Sequence, residues 1–195
     1  MTEEQKPKEK RRRKPVEPTP KWLRDQALRY LNRFPATRQK MTQHLHNKAA
    51  PQLEHFDIDE EKLSADIEKT VADMVKAGFI NDTEFAASKA RLMARQGRSV
   101  VQIGLKLQEM AFSDADQSQA LDGLGEDKNA LDRRAAARFV KRRRFGPYKP
   151  EETRQERRTK ELASLARQGF SFDVATSVID AEDTEDIEAI IHGEE

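Results

Sequence analysis

The sequence of 195 residues contains no cysteine. This absence excludes a disulfide framework, a thiolate metal site and a cysteine nucleophile, so packing alone must hold the fold. Aromatic residues are scarce at 6%, and hydrophobic residues make up 36% of the chain, below ordinary globular usage. The composition therefore predicts a small or elongated core with much solvated surface.

Long apolar runs are also missing. No stretch approaches the ~20 consecutive apolar residues of a membrane span, and the N-terminus, MTEEQKPKEKRRRKPVEPTP, lacks the apolar segment of a secretory signal. We therefore expect a cytoplasmic protein. No stretch alternates with a period of two residues, so no β-sheet is predicted.

Residues for catalysis or metal binding do not form a recognisable set. His44 and His46 lie two positions apart, which on a helix separates them by about 200° and excludes a shared metal ion. The Gly123-x-Gly125 pair lacks the preceding strand and the following Lys-Ser/Thr of a phosphate loop. We therefore expect no enzymatic activity, no cofactor and no bound metal.

Charge is abundant, and its two signs are segregated along the chain. Lys and Arg number 36 against 35 Asp and Glu, yet residues 133–160 contain twelve basic residues and three Glu. Residues 161–195 then carry ten acids and a single cation, Arg167. For one arginine, a solvated helix face is the simpler interpretation, whereas a cluster of this density predicts a surface that binds a polyanion.

The predicted binding surface draws on two groups of basic residues. On a helix predicted from about 127 to 145, Leu131, Ala135, Ala136 and Phe139 share one packing side, and basic residues crowd the other. Guanidinium groups suit phosphate and carboxylate partners because their planar fork matches two oxygens. The candidates are Arg91, Arg95 and Arg98 in the middle of the chain, and Arg133, Arg134, Arg138, Lys141, Arg142, Arg144, Lys149, Arg154, Arg157 and Arg158 towards its end.

Apolar residues at helical spacing predict a succession of helices with recognisable starts and stops. Gly78 is predicted as a C′ glycine stop, and two later helices are predicted to end at Gly97 and Gly169. The predicted starts are Thr19-Pro20, Thr37, Asp57 or Asp59, Asn81, Ser99, Ser113 or Asp114, Asp127, Glu151 and Ser171.

A short pattern repeats along the sequence. Residues 111–114 and 169–173 both join a helix end to a capped successor at a separation of 58 residues, and a similar break is predicted 62 residues earlier, at Ala49-Ala50. Units of this length bury too little apolar surface alone, so neighbours are expected to stack. The predicted fold is all-α, with about three tandem three-helix units and nine helices in an elongated molecule that can curve.

The predicted organisation has five parts. Residues 1–18 are a disordered basic and proline-rich arm. Residues 19–80, 81–125 and 126–181 are three helical units, of which the last contains the basic helix, and 182–195 are an acidic tail. Ile187, Ile190 and Ile191 recur at helical spacing in this tail. They predict either a frayed terminal helix or a segment that covers the basic surface until a partner displaces it.

Several short motifs, taken in order, resemble one protein family. They are Phe79-Ile-Asn-Asp82 followed by Phe85-Ala-Ala, Gly97-Arg98-Ser99 with Ile103 and Leu107, Arg142-Arg-Arg-Phe-Gly-Pro-Tyr148, and Leu165-Ala-Arg-Gln-Gly-Phe-Ser-Phe-Asp173. The ordered set resembles the RecX regulatory proteins over about residues 20–180. Lys48-Ala49 and Met110-Ala111 depart from the Lys-Gly or Arg-Gly usual at these helix ends. Because Ala enters the left-handed region less freely than Gly, we expect those two turns to be built differently.

The resemblance implies a role in DNA recombination and repair, including the SOS response. RecX proteins consist of tandem three-helix units that bind RecA recombinase filaments on single-stranded DNA and limit their growth, ATPase activity and strand exchange. The implied partners are the RecA filament and single-stranded DNA, contacted directly or through RecA, and the expected state is a monomer. Two alternatives stay open, namely a general nucleic-acid-binding protein and a structural adaptor between two proteins.

Overall fold

The computed structural model describes residues 15–125 and 127–193, which contain ten α-helices and no β-strand. This confirms the all-α prediction, with one helix more than expected. None of these helices is both long and apolar enough to cross a membrane. The helices are α1 (Pro20–Leu31), α2 (Arg38–Leu53), α3 (Glu60–Lys76), α4 (Asp82–Arg95), α5 (Val100–Glu109), α6 (Asp114–Asp122), α7 (Lys128–Arg143), α8 (Glu151–Arg167), α9 (Phe172–Ile179) and α10 (Thr184–His192).

Most of the predicted N-terminal arm, residues 1–14, lies outside the described residues, as does the end of the acidic tail, residues 194–195. Residues 15–18 are described and are not helical. The backbone N–H of Val16 donates a hydrogen bond to Gln52 Oε1 of α2 at 3.0 Å, and Pro18 is buried. The segment that leads into α1 therefore contacts α2.

All the predicted helix starts except Glu151 are satisfied by side-chain caps; α8 begins at Glu151 after Pro150 without one. In each capped case a side-chain oxygen accepts a backbone N–H two or three positions further on, an interaction worth about 1 kcal/mol. Asp59 and Ser113, rather than Asp57 and Asp114, cap α3 and α6. The complete set of confirmed caps is Thr19, Thr37, Asp59, Asn81, Ser99, Ser113, Asp127 and Ser171.

The chain divides into two compact units, Met1–Phe79 and Ile80–Glu195. In the first unit, α3 packs against both α1 and α2. The side chains between these three helices are apolar and buried from solvent, so they form one hydrophobic core. The largest fully buried side chains there are Leu23, Met41, Leu45, Ile67 and Met74.

The second unit contains two apolar clusters. In one, α4 packs against α5 and α6 around Ile103, Leu107 and Phe112; in the other, α7 packs against α9 and α10 around Phe139 and Val178. The start of α5 joins these groups, because Ser99 Oγ donates to the carbonyl of Gln168 at 2.5 Å and the Val100 N–H donates to Asp132 Oδ1 at 2.8 Å. Burial raises the pKa of Asp132 above its ordinary value, and the Val100 bond opposes this rise. The predicted boundary between 81–125 and 126–181 stays a prediction.

The repeated turn has the same geometry at both predicted positions. Ala111 and Gly169 adopt left-handed conformations with φ of 61° and 80°. The following Phe112 or Phe170 is buried, and the serine after it caps the next helix. The expectation that Met110-Ala111 would be built differently is therefore wrong. Burial of the phenylalanine and the serine cap offset the roughly 1–2 kcal/mol that a left-handed non-glycine residue costs.

The predicted break at Ala49-Ala50 is also wrong. Helix α2 continues through both alanines to Leu53 and contains Pro51 in its last turn. Alanine is the strongest helix former, and a proline so close to the end interrupts few backbone hydrogen bonds. Ala49 is completely buried, so it serves as a packing position and not as a helix stop.

Candidate polyanion-binding surface

Helix α7 separates a small-residue packing side from a cationic side. Ala135, Ala136 and Ala137 are buried together with Phe139 and Val140, and their small side chains let α9 and α10 approach closely. The basic residues occupy the remaining surface. Arg134 and the run 141–144 are exposed, whereas Arg133 and Arg138 are half-buried.

The C-terminal end of α7 carries four consecutive exposed basic residues, 141–144. The guanidinium carbons of Arg142 and Arg143 lie 5.5 and 5.7 Å from the centre of the Phe139 ring, a distance typical of cation–π contacts. Arg144 ends the helix in the left-handed conformation with φ of 56°. Cations at a helix C-terminus interact favourably with the helix dipole, so the fold tolerates this run of charge.

One cation of this run is paired within the protein. Lys141 Nζ lies 2.6 Å from Glu188 Oε1 on α10, and the Tyr148 hydroxyl donates to the same carboxylate at 3.2 Å. The Lys141 bond holds the pKa of Glu188 below its ordinary value, while burial and the Glu188 charge raise the pKa of Tyr148. Lys141 is therefore less available to a partner than the arginines that follow it.

The described part of the acidic tail contains a docked helix, α10, and not a frayed end. Ile187 is completely buried and Ile190 is 5% exposed, both within the cluster that contains α7. Together with Glu188, they place α10 along part of the basic helix. Glu188 is not among the residues predicted from the sequence, although the hypothesis that the tail covers the basic surface concerns the same region.

Two further candidates hold the last helices together. Arg154 donates through Nε, Nη1 and Nη2 to the carbonyl groups of Lys149, Glu182 and Pro147 at 3.0–3.1 Å. Arg158 donates through Nε and Nη2 to the two carboxylate oxygens of Asp180 at 2.7 and 2.6 Å. This pairing lowers the pKa of Asp180 and raises that of Arg158.

The turn after α7 is fixed by a buried carboxylate. Glu161 is 4% exposed and accepts the Gly146 N–H at 2.8 Å, and Lys149 Nζ lies 3.9 Å from its other oxygen. Gly146 begins the 3₁₀ turn Gly146–Tyr148 with φ of 53°, and a Cβ there would lie 2.6 Å from the carbonyl oxygen of Ile179. The candidate Lys149 is therefore partly engaged, whereas Arg157 remains exposed.

The candidates of the middle helices form a second basic group. Arg91 pairs with Glu84 at 2.8 Å, and Arg95 Nε donates to the Arg91 carbonyl at 3.3 Å. Arg98 is exposed in the connection between α4 and α5. A Cβ at the neighbouring Gly97 would lie 3.7 Å from Arg138 Cβ. The backbone at Gly97 thus lies close to Arg138 of α7, and Arg138 in turn lies one helical turn before Arg142 on the same helix.

The protein is thus all-helical among its described residues, and most of the candidate basic residues are exposed in its second unit. Comparison with known proteins then identifies its family. Curated relatives named "Regulatory protein RecX" come from Myxococcus xanthus strain DK1622 (31% identity over 177 residues, 90% of this chain and 94% of the relative), Agrobacterium fabrum strain C58 (31% over 179 residues, 90% and 92%) and Stenotrophomonas maltophilia strain K279a (30% over 165 residues, 84% and 86%). No protein-family model matches the sequence. The chain belongs to the RecX family of regulatory proteins.

Proposed function

We propose that this protein binds RecA recombinase filaments on single-stranded DNA in the cytoplasm and inhibits them without catalysis of its own. Its relatives are named as regulatory proteins. The observation that carries the proposal is the exposed run Arg142, Arg143 and Arg144 at the end of α7. These guanidinium groups present an arginine-rich surface to phosphates or to acidic groups of the recombinase.

The position of these arginines favours binding for two reasons. Arg142 and Arg143 contact the buried Phe139 ring, so they lose less freedom on binding than free side chains would. Arg138 lies one helical turn before Arg142 on α7, so it extends the same cationic surface. A filament repeats its anionic groups along its length, so several arginines on one surface engage it together more strongly than any one of them alone.

Inhibition requires no chemical step from this protein. A ligand shifts an equilibrium whenever it binds two states with different affinity. A protein that binds one filament state more tightly than the others therefore alters filament growth and ATP hydrolysis. In this mechanism the arginines act as binding residues only.

The test is ATP hydrolysis by RecA on single-stranded DNA, titrated with this protein. The test variant combines Arg142→Glu with Arg143→Glu. The control combines Lys160→Glu with Arg167→Glu, two exposed positions on α8 with the same change of charge. We expect inhibition by the wild type and the control, and its loss in the test variant.

Other outcomes would contradict the proposal in different ways. No inhibition at any ratio, together with tight binding to bare DNA or RNA, would indicate a general nucleic-acid-binding protein. Association with two other proteins independently of nucleic acid would indicate an adaptor. Equal inhibition by the test and control variants would show that the end of α7 is not part of the binding surface.

A further inference from the structure

An aromatic cluster lies on the surface of the first unit, far in sequence from the predicted binding residues. The ring of Tyr30, on α1, lies 4.2 Å from the ring of His44, on α2, and 5.6 Å from the ring of Phe34. Phe34 is 56% exposed. Its N–H donates to the Tyr30 carbonyl at 2.9 Å, so the turn that ends α1 fixes its position.

Positive charge surrounds this cluster. Residues 19–53 contain seven Lys or Arg and a single acid, Asp25. On α2, Lys40, His44 and Lys48 follow one another at intervals of four and share one helix face. Both lysines are exposed, as is Arg33 beside Phe34. Within the described part of the chain, none of these three cations forms an ion pair, so their charge is open to a ligand.

The two lysines also influence the imidazole between them. Burial, followed by the charges of Lys48 and Lys40, lowers the pKa of His44 below its ordinary value of 6.5. This shift favours the neutral form of the ring. A neutral imidazole in contact with Tyr30 adds a flat surface to the cluster without adding charge.

The cluster differs from an ordinary core contact. The core of this unit, formed by Leu23, Met41 and Leu45, is fully buried, whereas Phe34 exposes more than half of its surface. The acids of the first unit are concentrated in another part of its sequence, since residues 54–76 contain eight Asp or Glu and three Lys. Exposed aromatic rings within a cationic surface are the combination that binds single-stranded nucleic acid, because rings stack on bases while cations contact phosphates.

We propose that Phe34, Tyr30 and His44, flanked by Arg33, Lys40 and Lys48, form a binding site for single-stranded nucleic acid. A base stacks on the exposed ring of Phe34, and the neighbouring phosphates contact the cations. Duplex bases are already stacked inside the helix, so the site selects single strands. This inference goes beyond the proposed function, because it assigns a nucleic-acid contact to the first unit, in which none of the predicted binding residues lies.

The test uses the full chain and an oligothymidylate that contains one 2-aminopurine, whose fluorescence falls when the base stacks. The test variant is Phe34→Leu, which keeps an apolar side chain and removes the ring. The control is Phe172→Leu, because Phe172 is 68% exposed and lies in the second unit. We expect Phe34→Leu to weaken binding by about tenfold and to abolish the quenching of 2-aminopurine, with the control unchanged.

A second variant tests the phosphate contacts independently of the ring. Lys40→Gln combined with Lys48→Gln is expected to reduce the log–log salt dependence of oligonucleotide binding by about 1.4, since each lost phosphate contact on a single strand contributes about 0.7. Both positions are exposed, so the fold is retained. Circular dichroism of each variant verifies this.

Three results would overturn the inference. One is unchanged quenching and affinity in Phe34→Leu, and another is an equal loss of affinity for duplex and single strand. The third is unchanged oligonucleotide binding by Phe34→Leu combined with weaker inhibition of RecA, which would assign this face to a protein contact. Because the oligonucleotide assay contains no RecA, its result does not depend on the proposed inhibition, and the comparison of Phe34→Leu with the wild type leaves the α7 surface unchanged.

Discussion

Glu188 of α10 binds Lys141 of α7 across 47 residues of sequence, with 2.6 Å between the carboxylate and ammonium groups. The same carboxylate accepts the Tyr148 hydroxyl, so it connects α10 to the end of α7 and to the turn that follows. An acid of the tail thus neutralises one cation of the basic run. Arg142, Arg143 and Arg144 remain exposed beside it.

Neutralising this acid is expected to increase binding to polyanions. Glu188→Gln removes the charge that pairs with Lys141 while retaining a group that accepts a hydrogen bond from Tyr148. The freed lysine is then available to one more phosphate. The log–log salt dependence of binding to single-stranded DNA is expected to steepen by about 0.7, measured by fluorescence anisotropy over a range of salt concentrations.

The matched control for this prediction is Glu185→Gln on the same helix. Glu185 is exposed and forms no ion pair within the described residues, so its loss changes the net charge equally without freeing Lys141. Equal effects of the two substitutions would mean that only net charge matters. Complete deletion of residues 182–195 is a poorer test, because it removes Ile187 and Ile190 from the core and is expected to cost several kcal/mol.

Arg144 places a positive charge at the end of α7 at some cost in folding stability, because its backbone is left-handed. It occupies a left-handed position at the end of α7 that glycine adopts without steric cost. Arg144→Gly is therefore expected to leave the free energy of unfolding unchanged or to raise it by up to about 1 kcal/mol. It should also reduce the salt dependence of single-strand binding by about 0.7. Urea denaturation and anisotropy measure the two effects.

Ala111→Gly is the control that separates the effect on the free energy of unfolding from the effect on DNA binding. Ala111 is the other left-handed non-glycine among the described residues, with φ of 61°. The substitution relieves the same strain, so it is expected to stabilise the protein by about 0.5 kcal/mol without changing its DNA binding. A loss of binding in Ala111→Gly, or an unaltered salt dependence in Arg144→Gly, would contradict a phosphate contact by Arg144.

The sequence predicted local features well because they depend on a few neighbouring residues. The caps by Asn81 and Ser99 need only a side-chain oxygen and an N–H three positions on. The docking of α10 depends instead on contacts such as Lys141–Glu188 that are distant in sequence. For the same reason, charge alone did not distinguish Arg154, whose guanidinium binds three carbonyl groups, from the exposed Arg142.

Gly146 is expected to be essential to the turn after α7. A Cβ there would lie 2.6 Å from the backbone oxygen of Ile179, and the left-handed φ adds strain. Gly146→Ala is expected to lower the free energy of unfolding by more than about 2 kcal/mol. Gly78→Ala is the control, since a Cβ there meets no atom within 4 Å and its expected cost is about 1 kcal/mol. Equal losses of unfolding free energy in the two variants, measured by urea denaturation, would show that the left-handed backbone determines the cost and that the contact with Ile179 adds nothing.

The pair Arg158–Asp180 is expected to make stability depend on pH. Hydrogen bonds from Arg158 lower the pKa of Asp180 in the folded protein. A carboxyl group with a lowered folded-state pKa stabilises the fold above its unfolded-state pKa, and this contribution is lost as the pH falls through the folded-state value. Asp180→Asn should therefore reduce stability at pH 7 and have little effect at pH 2, as measured by urea denaturation.

Arg158→Gln provides the control, because it removes the same pair from the other side. We expect it to produce the same pH-dependent loss, and Asp180→Asn should then have little further effect in the Arg158→Gln background. Additive effects of the two substitutions at pH 7 would show that the bidentate contact at 2.6 and 2.7 Å does not carry the pH dependence. Non-additive effects would assign the pH dependence to the Arg158–Asp180 contact, which links α8 to the end of α9.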